Sequence, residues 1–436
     1  MLLSKLGSSD RKRSTRFAKA IVVVTSMATG TAIATNACNV ESPEGTGGTD
    51  VTAGACGRGI IVVNSDYQST NLSLVAIDGT VLSSSFLSSA STASGLSAPL
   101  GGDVVTPTQW QRGDEIVLLD RYPASVLTWV DVRSSTPTGQ LSLATGFAAN
   151  PRDYLLLNPT KAYVTRYQPN LAAGTGNHDE GSDIVVVDPL TRAVTTRLSL
   201  RSAMQDAPAV YYPYPDKMLR VGNEVAVLLG AYSSDFMSSA SSRIVRIDPQ
   251  DDRILEVVVL DGMHGCTELA LSPSEDEIAV SCSGEFAGDS VATVAESGVV
   301  LVSAKDEWKE RRRFPAAKFG LGPLGSGLAY ASDTTVVFTT AGELTEAGDT
   351  KREDALLVVD TDSGQFEVAL RSSAKPFTFG NVRCASRCAV CFVADASRSA
   401  GVVHRYEVNE MGFLGERQEI IVDRTIGLPP RHLGWF

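Results

Sequence analysis

KAYVTRYQP at 161–169, followed after a loop by DIVVVDPLTRAVTTRLSL at 183–200, decides the fold of this 436-residue chain. The first segment is rich in aromatic and β-branched residues and reads as a strand. IVVV is too short for a helix and has no polar face, as expected of a strand covered on both sides. Asp188-Pro189 then makes a turn, because the carboxylate can accept backbone N–H groups and proline presets its own φ. AVTTRLSL alternates and reads as a half-exposed strand.

The unit returns along the chain. Strands start at GIIVVNSDY (59–67), DEIVLLDRY (114–122), KAYVTRYQP (161–169), NEVAVLLGAY (223–232), DEIAVSCSG (276–284), TTVVFTTAG (334–342) and CAVCFVADA (388–396). Each is followed by a second strand that runs into a polar turn, at Asp78, Asp131, Asp188, Asp248, Ser303, Asp360 and Val408. These turns are separated by 53, 57, 60, 55, 57 and 48 residues, a spacing that suits four strands per unit. Five of the seven carry Asp, so DTDSG (360–364) reads as a turn rather than a calcium loop.

An innermost strand is expected ahead of each: TPTQW (106–110), RDYLLLN (152–158), DKMLRVG (216–222), CTELALS (266–272), GSGLAYA (325–331) and NVRCAS (381–386). The first unit lacks one, and PRHLGWF (430–436) supplies it from the other end of the chain. The expected fold is therefore all-β: a seven-bladed β-propeller of four-stranded antiparallel blades, closed by the C-terminal strand. Two separate sandwiches or an open solenoid leave that last strand without a role. YVTR with VVVDPLTRAV resembles the YVTN-type propeller repeats of exported bacterial and surface-layer proteins, with Arg166 in place of Asn. The resemblance implies a scaffold; related seven-bladed folds include lactonases, which makes a lactonase-like hydrolase the alternative expectation.

Residues 1–37 hold six Lys/Arg against Asp10, a net +5, so the remainder carries −17 where the whole carries −12. An acidic body of this kind repels nucleic-acid phosphates. A basic region ending at Lys19, an apolar stretch and Cys38 read as an export signal over 1–37. Ala37-Cys38 resembles the cleavage site of bacterial lipoproteins, whose cysteine is lipidated. The expectation is a lipid-anchored cell-envelope monomer, with secretion as the alternative. A flexible tether follows over 38–57 and the propeller over 58–436.

Six cysteines remain beyond Cys38, and an oxidising compartment favours disulfides over a zinc reading of C-x3-C-x2-C. Cys266 and Cys282 flank one hairpin turn symmetrically. Cys384 and Cys391 share another, leaving Cys56 with Cys388; a Cys56–Cys384 swap is the next pairing.

Function is expected in the loops joining second to third strands, on the face that also carries the links between blades. Loops 170–183, 230–243, 284–298 and 341–354 hold Asp179, Glu180, Asp183, Asp235, Glu285, Asp289, Glu296, Glu343, Glu346, Asp349, Glu353 and Asp354. Only Arg243, Lys351 and Arg352 oppose them within those loops. An acidic rim of this kind suits a protein, a glycan or a cation such as calcium; no cofactor is otherwise implied. His264 and His432 are the candidates for a catalytic pair at the channel mouth, near Arg152 and Arg431. His178 reads as a loop residue and His404 as part of a third strand. YYPYP (211–215) reads as packing between blades, with sugar stacking as its functional alternative.

Overall fold

The computed structural model describes residue 54 and residues 56–92, 96–285, 291–373, 376–397 and 401–436. The expected export signal over 1–37, Cys38, most of the expected tether and Asp289 lie outside the described residues. Seven four-stranded antiparallel sheets follow one another along the chain, with a small extra hairpin between 343 and 352. They are the seven blades.

Blade one takes its innermost strand from Pro430–Trp435 and continues with Gly59–Ser65, Thr70–Ala76 and Val81–Ser88. Ile60 lies opposite Trp435 and Val62 opposite Leu433, so the two chain ends are hydrogen-bonded neighbours. Arg58 N–H donates to the Phe436 carbonyl and Phe436 N–H to that of Gly59. Closure pairs an edge that would otherwise invite another chain.

Seven hydrophobic clusters fill the seven interfaces between blades, because every middle strand splits its side chains between two neighbours. Val225, Val227 and Leu229 pack towards blade three, while Ala226 and Leu228 pack towards blade five. This is the period-two alternation of a strand buried on both faces. It explains why the middle strands read as unbroken apolar runs: all seven residues of Gly59–Ser65 are buried. The outermost strands, such as Ala193–Ser199, are half-exposed.

Arg166 has a buried partner. It sits directly across from Asp183 on the neighbouring strand, and both side chains are buried. Nε and Nη2 donate to the two carboxylate oxygens at 2.8 and 2.7 Å, and Nη1 donates to Thr145 Oγ1 at 2.8 Å. The bidentate fork satisfies a carboxylate that the core would otherwise strand. The turn aspartates do as expected: Asp188 Oδ1 accepts Leu190 N–H, and Asp360 Oδ1 accepts Ser363 N–H.

Blade two differs from expectation. Its innermost strand is only Val104–Val105, and 106–110 leave the sheet. Pro107 has no N–H to donate, and Thr108 N–H goes to Asp153 Oδ1 in the next blade. Trp110 instead packs beside Trp435, with ring centroids 5.6 Å apart.

Disulfides join Cys266 to Cys282, Cys384 to Cys391 and Cys56 to Cys388. The first two link residues that face each other across a strand pair. The third ties the start of blade one to blade seven across 332 residues of sequence.

Candidate functional site

Innermost strands run outward from the face that carries the links between blades, so their first residues ring the upper mouth of the central channel. Polar and titratable residues sit near the start of four of them, Arg152 and Asp153 in blade three, Asp216 and Lys217 in blade four, Glu268 in blade five and His432 in blade one, while Arg383 of blade seven stands further along its strand. At the other end of the same strands Leu155, Leu219, Leu271, Ala329 and Trp435, together with Arg220 and Arg383, line a 390 Å³ cavity.

Part of the upper cluster is structural. Asp153 accepts Thr108 N–H and Met218 N–H, stapling blades two and four to blade three. Arg121 is paired with Asp103. Among the described residues Lys217, Glu268, Arg383 and Arg152 close no ion pair, though Arg383 Nη1 donates to the Val382 carbonyl at 3.1 Å, and Glu268 Oε2 is buried without a hydrogen bond. Burial pushes the Glu268 carboxyl up to about 7, against the pull of Lys217 and Arg383. Burial also holds His432 well below its usual range, reinforced by Arg121, Lys217, Arg383 and Arg152. A neutral imidazole and a carboxyl raised to about 7 therefore stand near the same pair of cations, Lys217 and Arg383.

Above them opens a 380 Å³ pocket lined by Tyr67, Thr267, Ser326, Phe377, Arg431 and His432 among others. Tyr67 and Phe377 are each 60 % exposed, and their backbones are left-handed, at φ 67° and 62°. Bulky residues avoid that region, at a cost of order 1–3 kcal/mol each, so their surroundings must hold them there. Asp354 does so for Phe377: its carboxylate accepts the N–H groups of Gly342, Phe377, Thr378 and Phe379. Ser65 Oγ accepts Tyr67 N–H at 2.9 Å. Arg431 bridges the two, its guanidinium 5.0 Å from the Tyr67 ring centroid and donating to the Phe377 carbonyl at 3.3 Å.

The structure thus brings Arg431 and His432 to one pocket, whereas Arg152 lies outside that lining, stacked 4.3 Å from the Tyr167 ring centroid. His264 goes elsewhere. Its Nδ1 lies 2.8 Å from Ser239 Oγ and 3.8 Å from Glu285 Oε1, in the loops of blades four and five. His178 lies in the blade-three loop, and His404 is buried against Asp395 at 2.9 Å in a third strand. Tyr212 and Tyr214 of YYPYP pack with Tyr167, Tyr232 and Phe236.

The acidic rim is smaller than the sequence count implies. Asp183 belongs to the buried pair with Arg166, and Glu180 is held by Arg197 from the outermost strand. Glu343 pairs with Lys351 and Arg352, Asp235 with Ser233 Oγ, and Asp354 is buried. Asp179 Oδ2 accepts Gly174 N–H. Glu346 and Asp349 remain in the exposed part of the blade-six loop. Arg166 and Arg197 lie outside the loops in sequence, which is why counting loop charges overstated the rim. Tyr67 and Phe377 were missed, and a lone aromatic in a turn-rich stretch was the only signal available.

No known family matches the sequence of the chain, and no curated protein does either. Solved structures match its fold. A putative 6-phosphogluconolactonase from Bacteroides fragilis NCTC 9343 is similar at a TM-score of 0.51 and 11% identity, over 86% of this chain and 96% of that one. A protein from Lactobacillus plantarum is similar at 0.50 and 11%, over 86% and 98%. The fold is a seven-bladed β-propeller. At such identities the likeness carries the fold alone.

Proposed function

We propose that the protein is an exported binding scaffold whose seat is the pocket at the upper channel mouth, and that its ligand is of the glycan class. The observation that carries this reading is the pair Tyr67 and Phe377, two exposed rings held in left-handed backbone on either side of Arg431. Local strain that surrounding hydrogen bonds maintain is common where a surface must present a side chain to a ligand. Two ring faces above a polar floor suit a hydroxyl-rich molecule, which stacks its C–H face and hydrogen-bonds its edges. Three disulfides favour a compartment outside the cytosol. Lipid anchoring at Cys38 and membership among YVTN-type repeats belong to the same proposal and rest on the sequence.

The lactonase-like alternative needed His264 and His432 to converge with an acid. His264 is engaged with Ser239 and Glu285, while His432 faces cations and accepts no described hydrogen bond from a carboxyl. The binding reading therefore stands ahead of it.

Calorimetric titration with soluble neutral and uronic oligosaccharides tests the proposal. At least one is expected to bind, and Tyr67→Ala with Phe377→Ala to weaken it about tenfold or more. A ligand bound equally well by the double variant, or a panel without a binder, refutes the seat.

A further inference from the structure

We infer that His264, Glu285 and Glu296 form a binding site for a divalent transition ion of the zinc class, on the upper face beside the channel. Each offers one donor atom, and the three atoms lie within 4.8 Å of one another. Donors around a single zinc, each about 2 Å from the ion, stand roughly 3–3.5 Å apart, so a small side-chain rotation completes the set.

Each donor stands within two residues of a strand end in blade five: His264 before Cys266–Leu271, Glu285 after Glu277–Ser283 and Glu296 before Ser297–Ser303. His264 lies two residues before Cys266, and Glu285 three residues after Cys282, so one disulfide anchors both approaches. Gly284 N–H donates to the His264 carbonyl at 2.9 Å, and His264 N–H to the Glu296 carbonyl at 3.1 Å. Glu296 leads directly into the strand Ser297–Ser303, whose first hydroxyl donates to the Cys282 carbonyl at 2.7 Å. Backbone hydrogen bonds therefore link all three positions.

Charge and satisfaction point the same way. Unlike Asp183, Glu180 and Glu343, neither Glu285 nor Glu296 is met by a lysine or arginine among the described residues. Glu296 Oε2 is shielded from solvent and has no hydrogen-bond donor, a costly state for a carboxylate that an ion relieves. Ser239 supplies an outer contact. Its N–H donates to Glu285 Oε1 at 2.9 Å, and its hydroxyl lies between Glu285 Oε1, at 3.1 Å, and His264 Nδ1. Partners of this kind orient the ligands of bound metals.

An imidazole with two carboxylates selects zinc or manganese over calcium, which prefers six to eight oxygens. Three protein donors leave a coordination position open to water or to a ligand oxygen. The site is separate from the Tyr67–Phe377 pocket, so either proposal can fail without the other.

Zinc titration of the purified full chain, by calorimetry and thermal melting, tests the inference. One equivalent is expected to bind, with Tm rising about 3 °C at a hundredfold excess over Kd. Calcium at the same concentration is expected to leave Tm unchanged. Glu285→Gln with Glu296→Gln, checked for folding by circular dichroism, is expected to weaken zinc at least about a hundredfold. Cobalt absorption in the unmutated chain reads the nitrogen–oxygen ligand field independently of any variant. No binding of zinc or manganese, undiminished binding in the double variant, a calcium response equal to that of zinc, or a cobalt spectrum of the aqueous ion each overturns it.

Discussion

Replacing Arg166 with Met removes the buried bidentate partner of Asp183. Both side chains are essentially inaccessible, and the fork between them makes two hydrogen bonds of 2.8 and 2.7 Å. Arg197 Nη1, 3.5 Å from Asp183 Oδ2, offers one longer contact and replaces only part of the fork. Breaking a buried pair from one side costs about 3–5 kcal/mol, since the carboxylate keeps its desolvation and loses its partner. A propeller of roughly 380 residues unfolds with about 0.8 kcal/mol per degree of entropy at its midpoint, so Arg166→Met is expected to lower Tm by about 4–6 °C. Removing both charges, with Arg166→Met and Asp183→Val, leaves no stranded ion, and most of the loss is expected to return, to within about 1–2 °C of the parent. Differential scanning calorimetry on the four proteins of this cycle reads the coupling directly. A single variant within about 1 °C of the parent, or a double variant that falls by the sum of the two single losses, refutes the argument.

Glu268 gives stability a pH signature. Its folded-state value is raised from 4.5 to about 7, so the native protein holds a proton that the unfolded chain releases. Stability from this group is complete below pH 4.5 and declines between about 4.5 and 7, by about 3 kcal/mol in all. Glu268→Gln is expected to flatten that limb of a denaturant-midpoint profile; an unchanged slope sinks the assignment. His432 acts in the opposite sense: its depressed value costs stability as pH falls below 6.5. Replacing Cys56 and Cys388 with Ser is expected to cost up to about 5 kcal/mol, the upper end for a long closed loop. Non-reducing peptide mapping should show three linked pairs in the parent, and six free thiols would contradict them.

Much of the scaffold is local, and so was legible. Asp188 turns the chain through its own neighbours' N–H groups, whatever the distant residues do. GIIVV announces burial on both faces because consecutive strand residues face opposite neighbours. Cys266 and Cys282 could be paired because a hairpin fixes their register. Reading failed where a remote residue competed. Thr-Pro-Thr-Gln-Trp has the composition of a strand, yet Pro107 lacks a donor and Asp153 captures the N–H of Thr108.

The sequence by itself determined the number of blades, the strand that closes the ring and the hairpin pairing of Cys266 with Cys282, because each follows from periodicity or from residues close along the chain. The choice of Cys388 over Cys384 for Cys56 needed the structure. Only the tertiary structure decided the sites. Ring closure sets Tyr67 beside Arg431 and Phe377, across more than 300 positions. Strand pairing within blade three buries Asp183 against Arg166, while among the described residues Glu285 and Glu296 meet no lysine or arginine. The physical reason is that strand patterning is enforced between consecutive residues, whereas the charge, strain and desolvation at a site depend on which blades the closed ring makes neighbours.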